Sequence, residues 1–330
     1  MLQTEILASL SKVPPFPPVA ARLLVLLADE SVEISKIADL IGSDPMLSAR
    51  LLQCVNSLEF NLAYPVNSIG QALTILGIDR TRQITVTIAT AAYARGALRT
   101  KELRLCWEHT VATAILADQI AHACEAFTAV AYTAGIIHDI GRLGLLVAHP
   151  KDYERIIRDA ADRCLDLLDF ESEQFGIHHA EAGRLLAERW RLPEEFLAIV
   201  GRHHDPCEGQ ELDLLKIIHV ACRLADALGY AVTRPLLPLT VEQILTELPD
   251  QARQRLKTPP EEWSAAIQKR IHAYDGYVDD TPDEPRVEDP GEAAPSGEEA
   301  IGPVGGSNMP YLWVAGIAAI FALSAWFFSR

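Results

Sequence analysis

The sequence predicts an all-α protein. Apolar residues recur at intervals of three and four, as at Leu23, Leu24 and Leu27, which is the spacing of a helix face packed on a core. Glycines and prolines, Gly77 among them, divide this text into segments of ordinary helix length. Strand-like alternation is scarce. Residues 84–90, ITVTIAT, could form a strand, but the neighbouring sequence favours a helix. We therefore expect a multi-helix domain, followed by two segments of different character.

The helical text falls into three parts. Residues 1–100 form a first helical part, in which Asp44 and Pro45 are typical of a helix cap followed by the first helical residue. Residues 101–228 form a second part, the predicted helical core that carries the chemistry. Residues 229–277 read as a helical extension, to which the sequence assigns no role.

An acidic segment and an apolar segment follow. In residues 278–310 acids, proline and glycine dominate; within 278–300 nine acids stand against one base, so we expect a disordered acidic linker. Residues 311–328 carry no charge, span about 27 Å as a helix, and have Trp313 and Trp326 near their ends. This composition predicts a single-pass C-terminal transmembrane helix that anchors a cytoplasmic domain to the inner membrane. A buried core helix is the alternative.

Charge and composition limit the classes of function. The net charge is −16 and the isoelectric point is near 5.0, which disfavours a primary nucleic-acid binder, because phosphate contacts need a basic surface. Residues 34–56 have the spacing of a helix-turn-helix, but the second helix offers a single arginine, Arg50, and two packed core helices are the favoured interpretation. The six dispersed cysteines are read as reduced thiols.

Histidines and aspartates beside apolar helical segments are the strongest chemical signal. The adjacent pair His138 and Asp139 follows an apolar stretch, and its carboxylate can bridge two ions. Imidazole and carboxylate ligands from separate helices suit iron, manganese or zinc better than calcium. A lone histidine beside an apolar face is more often a hydrogen-bonded core residue, so the prediction rests on the number of candidates. These candidates are His109, His138, Asp139, His179, His203, His204 and Asp226.

Several longer motifs resemble one known family. The first half contains VPPFPPVAARLL, ADLIGSDPMLSARLLQCVNS and IGQALTILGI; the second contains GIIHDIGRL, HHAEAGRLLAERWRLPEEF and GRHHDP. In this combination the sequence resembles the HDOD domain, the HD-related output domain of the HD phosphohydrolase superfamily, over residues 13–228. The resemblance implies an all-helical fold and a role in bacterial signal transduction or regulation.

The resemblance also implies roles for individual residues. His109, His138, Asp139 and Asp226 match the metal-binding quartet of the superfamily, and His179, His203 and His204 match the further ligands of its binuclear, cyclic-di-GMP-cleaving branch. Two departures weaken the match to that branch. No glycine-tyrosine-proline loop follows the paired histidines, and Arg142 stands where a lysine is expected. Arginine can still contact phosphate, with a different geometry.

The sequence as a whole thus predicts a membrane-tethered regulatory domain that acts through contacts with a signalling protein and binds one or two divalent metal ions. The alternative is an active metal-dependent phosphohydrolase on a nucleotide or cyclic dinucleotide, in which Asp139 and Arg142 carry the catalysis. The partner and the substrate cannot be named from the residues.

Overall fold

The computed structural model describes residues 3–13, 19, 22–23, 26, 33–56, 65–94, 100–207, 211–256 and 259–279. Within these ranges the regular elements are helices and one π-helical turn, with no strand, as the sequence predicts. The described helices all belong to one unit, Met1–Pro282. Its buried apolar residues form a continuous core that runs from Ile6 in the first helix to Tyr274 in the last.

Among the described residues, four helices lie in the N-terminal part. They are α1 (Gln3–Leu10), α2 (Ile34–Gly42), α3 (Pro45–Val55) and α4 (Ile69–Ala94). Helix α3 begins as predicted, because Pro45 takes the first turn and the Asp44 side chain accepts a hydrogen bond from the Leu47 amide at 3.0 Å. Helix α4 is interrupted at Gly77, whose φ of 76° lies in the left-handed region that glycine tolerates.

The ambiguous segment 84–90 is helical and buried. Two of its threonines donate their hydroxyls to the preceding turn: Thr87 Oγ1 donates to the Gln83 carbonyl at 2.7 Å, and Thr90 Oγ1 donates to the Val86 carbonyl at 3.0 Å. This back-bonding pairs the hydroxyls of these two residues inside a helical core. The buried hydroxyl of Thr85 has no hydrogen-bond partner among the described residues. Helices α2 and α3, which have the spacing of a helix-turn-helix, pack on each other, and Arg50 is buried, as expected for two packed core helices.

The remaining helices surround a central one. In chain order they are α5 (Lys101–Cys124), α6 (Ala131–Ile137), α7 (Ile140–Ala148), α8 (Pro150–Arg163), α9 (Leu167–Phe175), α10 (His179–Arg189), α11 (Glu194–Arg202) and α12 (Leu214–Ala225), then a π-helical turn (Asp226–Tyr230), α13 (Val241–Leu245), α14 (Asp250–Arg255) and α15 (Pro260–Asp279). Helix α5 packs against α6 on one side and α12 on another. The polar sequence at its two ends flanks an almost fully buried middle that includes His109.

The predicted extension joins the core of the same unit. Helix α15 packs on both α4 and α5. Arg270, on α15, donates to Gln83 Oε1 at 3.1 Å and lies over the ring of Tyr132 at 5.2 Å. The N-terminal helix α1 is also joined to the second part, because Arg189 on α10 donates to the Leu10 carbonyl at 2.9 Å. The domain boundaries read from the sequence stay a prediction.

The predicted linker 278–310 lies outside the described residues except for its first two positions, and the predicted anchor 311–328 lies outside them entirely. Among the helices that the structure does describe, none combines the length and the apolarity needed to cross a membrane. Both segments stay predictions.

Two glycines set how closely α7 and α10 approach. A Cβ at Gly141 would lie 1.9 Å from the His179 carbonyl oxygen and 2.3 Å from the Gly183 amide nitrogen, so no side chain fits. Gly183 meets the backbone of Gly141 in turn. This backbone contact places the first residue of α10, His179, beside the residue that precedes α7, Asp139.

We predict that Gly141→Ala lowers the free energy of unfolding by about 3 kcal/mol or more, because backbone atoms must move to admit the methyl group. Chemical denaturation measures the change. Gly42→Ala is the matched control: nothing lies within 4 Å of its Cβ position, and alanine is the better helix former. Similar small effects of both substitutions would contradict the close approach of α7 and α10.

Candidate metal centre

The candidate ligands come from five places in the fold. His109 lies in the middle of α5, His138 and Asp139 lie between α6 and α7, and His179 is the first residue of α10. The pair His203 and His204 follows α11, and Asp226 follows α12. Most of these positions are helix ends, where the side chain can turn into the space between neighbouring helices.

Asp139 is the centre of the arrangement. Its carboxylate is buried, and four imidazoles surround it. Oδ1 lies 3.3 Å from His179 Nε2 and 3.4 Å from His203 Nε2. Oδ2 lies 3.7 Å from His138 Nε2 and 3.9 Å from His109 Nε2. The two oxygens therefore face two different pairs of histidines, and in each imidazole the same atom, Nε2, faces the carboxylate.

Backbone carbonyls fix the orientation of two of these rings. His138 Nδ1 lies 2.7 Å from the Gly135 carbonyl, and His203 Nδ1 lies 3.1 Å from the Val200 carbonyl. A carbonyl oxygen only accepts hydrogen bonds, so Nδ1 carries the proton in both rings. Nε2 of the neutral imidazole then presents a lone pair towards Asp139. Burial lowers the pKa of His138 well below its ordinary value, which keeps that ring neutral.

The same orientation recurs at His179 and His109 by other means. His179 Nδ1 donates to Glu171 Oε2 at 2.7 Å, and the Tyr153 hydroxyl donates to the other oxygen of Glu171 at 2.5 Å. Burial alone would raise the pKa of Glu171, but its contacts with His179 lower it below the ordinary range, so the carboxylate is ionised and accepts. His109 Nδ1 donates to the Tyr230 carbonyl at 3.1 Å. Carboxylate and carbonyl partners of this kind orient histidines that bind metals.

The chemistry of this donor set fits a divalent cation. Four Nε2 atoms and one carboxylate converge, and each neutral imidazole offers a lone pair to a cation. Burial alone would lower the pKa of His109, but its contacts with Cys222 and Asp226 raise it well above its ordinary value, so this ring gives up a proton when a cation binds. Among the described residues, His138 Nε2, His203 Nε2 and Asp139 Oδ1 have no hydrogen-bond partner although they are buried. Unpaired buried polar atoms are costly, and a bound cation would satisfy all three at once. Neutral imidazoles with a carboxylate suit iron, manganese or zinc.

Arg142 supplies a positive charge of its own to the cluster. Its Nε donates to Asp139 Oδ2 at 2.8 Å, and one terminal nitrogen donates to His179 Nε2 at 3.1 Å. The guanidinium is buried. Burial alone would raise the pKa of Asp139, but the charge of Arg142 and the neighbouring histidines hold it well below its ordinary value. The carboxylate is therefore ionised and available as a ligand.

The donor atoms fall into two groups that could each hold an ion. Within each group the atoms lie within 4.8 Å of one another. The first group is Asp139, His179, His203 and His204; the second is His109, His138 and Cys222. His204 closes the first group from its exposed side, with its Nε2 2.9 Å from that of His179. Because the Asp139 carboxylate lies between the groups, one or two ions can be accommodated.

The structure thus brings six of the seven predicted ligands into these groups, and Asp226 stands apart. Its Oδ1 lies 3.4 Å from His109 Nδ1, behind the ring, whereas the cluster faces Nε2. The reason is local: α12 ends at Ala225, and Asp226 begins the π-helical turn, which changes the direction of its side chain. The assignment of Asp226 as a ligand stays a prediction.

Sequence reasoning missed four residues at or beside the centre. Cys222 is one of the six cysteines interpreted as reduced thiols, although it precedes Asp226 by four positions, the spacing that puts two residues on one helix face. Glu171 and Tyr153 gave no local signal, because their link to His179 depends on how α8, α9 and α10 pack. His219 belongs to no motif in the sequence, but its Nδ1 donates to the His203 carbonyl at 2.9 Å and so supports the backbone of a candidate ligand.

A cavity of about 390 Å³ opens beside the cluster. Its lining includes Arg142, His179, His204 and Asp226 together with residues 232–237. The cavity is large enough for a small ligand and gives it access to the donor atoms.

Comparisons with known proteins agree with this fold. The model of the HDOD domain family matches residues 13–206. A curated relative, an uncharacterised protein of Treponema pallidum (strain Nichols), is 24% identical over 208 residues, which are 61% of this chain and 40% of that protein. The chain therefore spans well under half the length of this relative.

Two solved structures share the architecture. An HDOD domain protein of unknown function from Geobacter sulfurreducens superposes with a TM-score of 0.66 at 24% identity, over 84% of this chain and 97% of that one. A proposed phosphohydrolase from Shewanella amazonensis superposes with a TM-score of 0.59 at 23% identity, over 83% and 96% of the two chains. At this level of identity the likeness shows the fold alone.

Proposed function

Because the chain belongs to the HDOD family, we propose that it is a regulatory domain of signal transduction that binds divalent metal at the His/Asp cluster and acts through protein contacts. The observation that carries the metal is the orientation of the imidazoles. Four Nε2 atoms face the Asp139 carboxylate while their Nδ1 atoms are held by other groups. This arrangement leaves buried electron donors that need a cation.

A surface beside the cluster supports the part of the proposal that concerns protein contacts. Leu236 and Leu237 are 56% and 86% exposed, and both line the cavity beside the His/Asp cluster. Leu239 continues this exposed apolar segment. Exposed apolar side chains that are contiguous mark surfaces where proteins meet. A partner that covers this segment would therefore sense the occupancy of the cavity.

We predict that the full-length chain, purified without added metal or chelator, contains about one or two equivalents of iron, manganese or zinc. The double variant His138→Ala/Asp139→Ala should lose this metal, because it removes an Nε2 lone pair and the carboxylate between the two donor groups. Elemental analysis by mass spectrometry measures the content, and circular dichroism verifies that the variant folds.

His122→Ala is the matched control for the metal analysis. His122 is an exposed histidine on α5, the helix that also carries His109, and it belongs to neither donor group. This variant should retain the metal of the parent chain. A folded parent chain that contains no metal and takes up none after incubation with iron, manganese or zinc would refute the metal-binding proposal.

The cavity favours a second candidate function, a metal-dependent phosphohydrolase. It brings a ligand to Arg142 as well as to the candidate metal ligands, and the Nη1 nitrogen of Arg142 has no hydrogen-bond partner among the described residues, so it can donate to a phosphate oxygen. A bound divalent ion would supply Lewis acidity at the phosphate and an activated water. In this candidate, Arg142 binds the phosphate and Asp139 holds the ion.

Turnover separates the two candidate functions. If the chain is a hydrolase, the metal-loaded full-length protein should cleave a phosphodiester from a panel of bis(p-nitrophenyl) phosphate, cyclic dinucleotides and nucleotides. Asp139→Asn should reduce the rate by about 100-fold or more, since it weakens the hold on the ion. His272→Ala, an exposed histidine of α15, should leave the rate unchanged. A fully metal-loaded protein with no turnover across the panel would exclude this candidate.

We further propose that residues 311–328 tether the domain to the inner membrane, since they are uncharged, are long enough to span it and carry a tryptophan near each end. The full-length chain should then remain in the membrane fraction after alkaline carbonate extraction. Ile320→Arg, near the middle of the segment, should release part of it, because a central arginine costs about 3 kcal/mol. The control Ser329→Arg adds the same charge beyond the segment and should not. A full-length chain found wholly in the soluble fraction would rule out the tether.

A further inference from the structure

Cys222 lies inside one of the two donor groups. All six cysteines fall within the described residues, and Cys222 is the member of that set whose sulfur shares a donor group with histidines. Its Sγ is 3.4 Å from His109 Nε2, and the side chain is buried. It sits on the last turn of α12, which packs along α5, so the thiol and the imidazole face each other across a helix contact.

The neighbouring imidazole points to the same space independently. His138 is fully buried, its Nδ1 is held by the Gly135 carbonyl, and its Nε2 has no hydrogen-bond partner among the described residues. That Nε2 belongs to the donor group of Cys222 and His109. A buried, unpartnered lone pair beside a second imidazole nitrogen and a thiol is a donor set suited to a metal ion, and Asp139 Oδ2 adds a carboxylate 3.7 Å from His138 Nε2.

Asp226 is the carboxylate that the sequence predicts as a ligand in this group, but it faces Nδ1 of His109, whereas the donor group uses Nε2. Its Oδ1 lies 3.4 Å from His109 Nδ1. The two nitrogens of an imidazole point in different directions, so a carboxylate beside Nδ1 cannot share an ion bound at Nε2. The side chain of Asp226 is also 28% exposed, whereas the sulfur of Cys222 is enclosed with the donor atoms.

Resting on the proposed metal-binding function, we propose that Cys222 is a metal ligand in a site formed with His109, His138 and Asp139, and that Asp226 is a positioning residue for the His109 ring. On binding, the Sγ–H bond breaks, its proton leaves to solvent, and an Sγ–metal bond forms. Thiolate and carboxylate together neutralise a divalent ion. A thiolate ligand favours zinc or iron over manganese, which prefers oxygen donors.

Cobalt(II) substitution in the full-length chain tests the sulfur ligand directly. A thiolate bound to cobalt gives a charge-transfer absorption band in the near ultraviolet, which nitrogen and oxygen ligands do not give. We expect this band in the parent protein and its loss in Cys222→Ser. Cys106→Ser is the matched control: Cys106 is equally buried on the adjacent helix α5, but its Sγ contacts the Glu102 carbonyl and belongs to neither donor group. It should keep the band.

Asp226→Asn separates a positioning role from a ligand role. It should keep the band while weakening cobalt affinity by about 10- to 100-fold, as the loss of a partner behind a ligating histidine does. If Asp226→Asn abolishes cobalt binding while Cys222→Ser leaves the spectrum unchanged, the two assignments are reversed and our inference is overturned.

X-ray absorption of the zinc-loaded parent protein needs no variant. A zinc–sulfur shell at about 2.3 Å beside nitrogen and oxygen at about 2.0–2.1 Å supports the thiolate ligand. Metal that binds stoichiometrically with no sulfur shell and no thiolate band overturns this inference but leaves the proposed function standing. A folded chain that binds neither cobalt nor zinc overturns both.

Discussion

The buried, ionised carboxylate of Asp139 is the constraint on which the second half of the structure depends. An isolated charge cannot be taken from water into a helical core without compensation. In this fold the Asp139 carboxylate is compensated by the guanidinium of Arg142 and by imidazoles from three other elements. Arg142 contributes charge in every state of the protein, whereas a divalent ion can be gained or lost.

Close packing of backbone atoms positions the side chains of the centre. The contact of Gly141 with His179 and Gly183 lets α7 and α10 approach more closely than any side chain would allow. It fixes His179 beside Asp139, and the Glu171 carboxylate, held by Tyr153, then fixes which nitrogen of His179 is turned inward. The centre is therefore supported by a shell of buried polar contacts that links α8, α9 and α10.

Much of this protein follows from local sequence. The helical class, the cap at Asp44 and the break at Gly77 were predicted because each depends on residues close together in the chain. The segment 84–90 illustrates the limit of such patterns, since its alternation permitted a strand and its packed neighbours made it a helix. Six predicted ligands converge in the structure. They could be predicted because their residue types and their positions beside apolar helical segments are visible in the sequence. Glu171 and Tyr153 were missed because their partners are distant in the chain.

The sequence by itself determined the family, the helical elements and the kinds of donor atom available, since these are properties of composition, spacing and motif. Only the tertiary structure decided which nitrogen of each histidine faces Asp139, that Cys222 lies among the donors and that Asp226 lies behind His109. The physical reason is geometric. The sequence gives the type of each ligand residue. The direction of an imidazole lone pair depends instead on the hydrogen bond at the other nitrogen of the ring and on the position at which each helix ends.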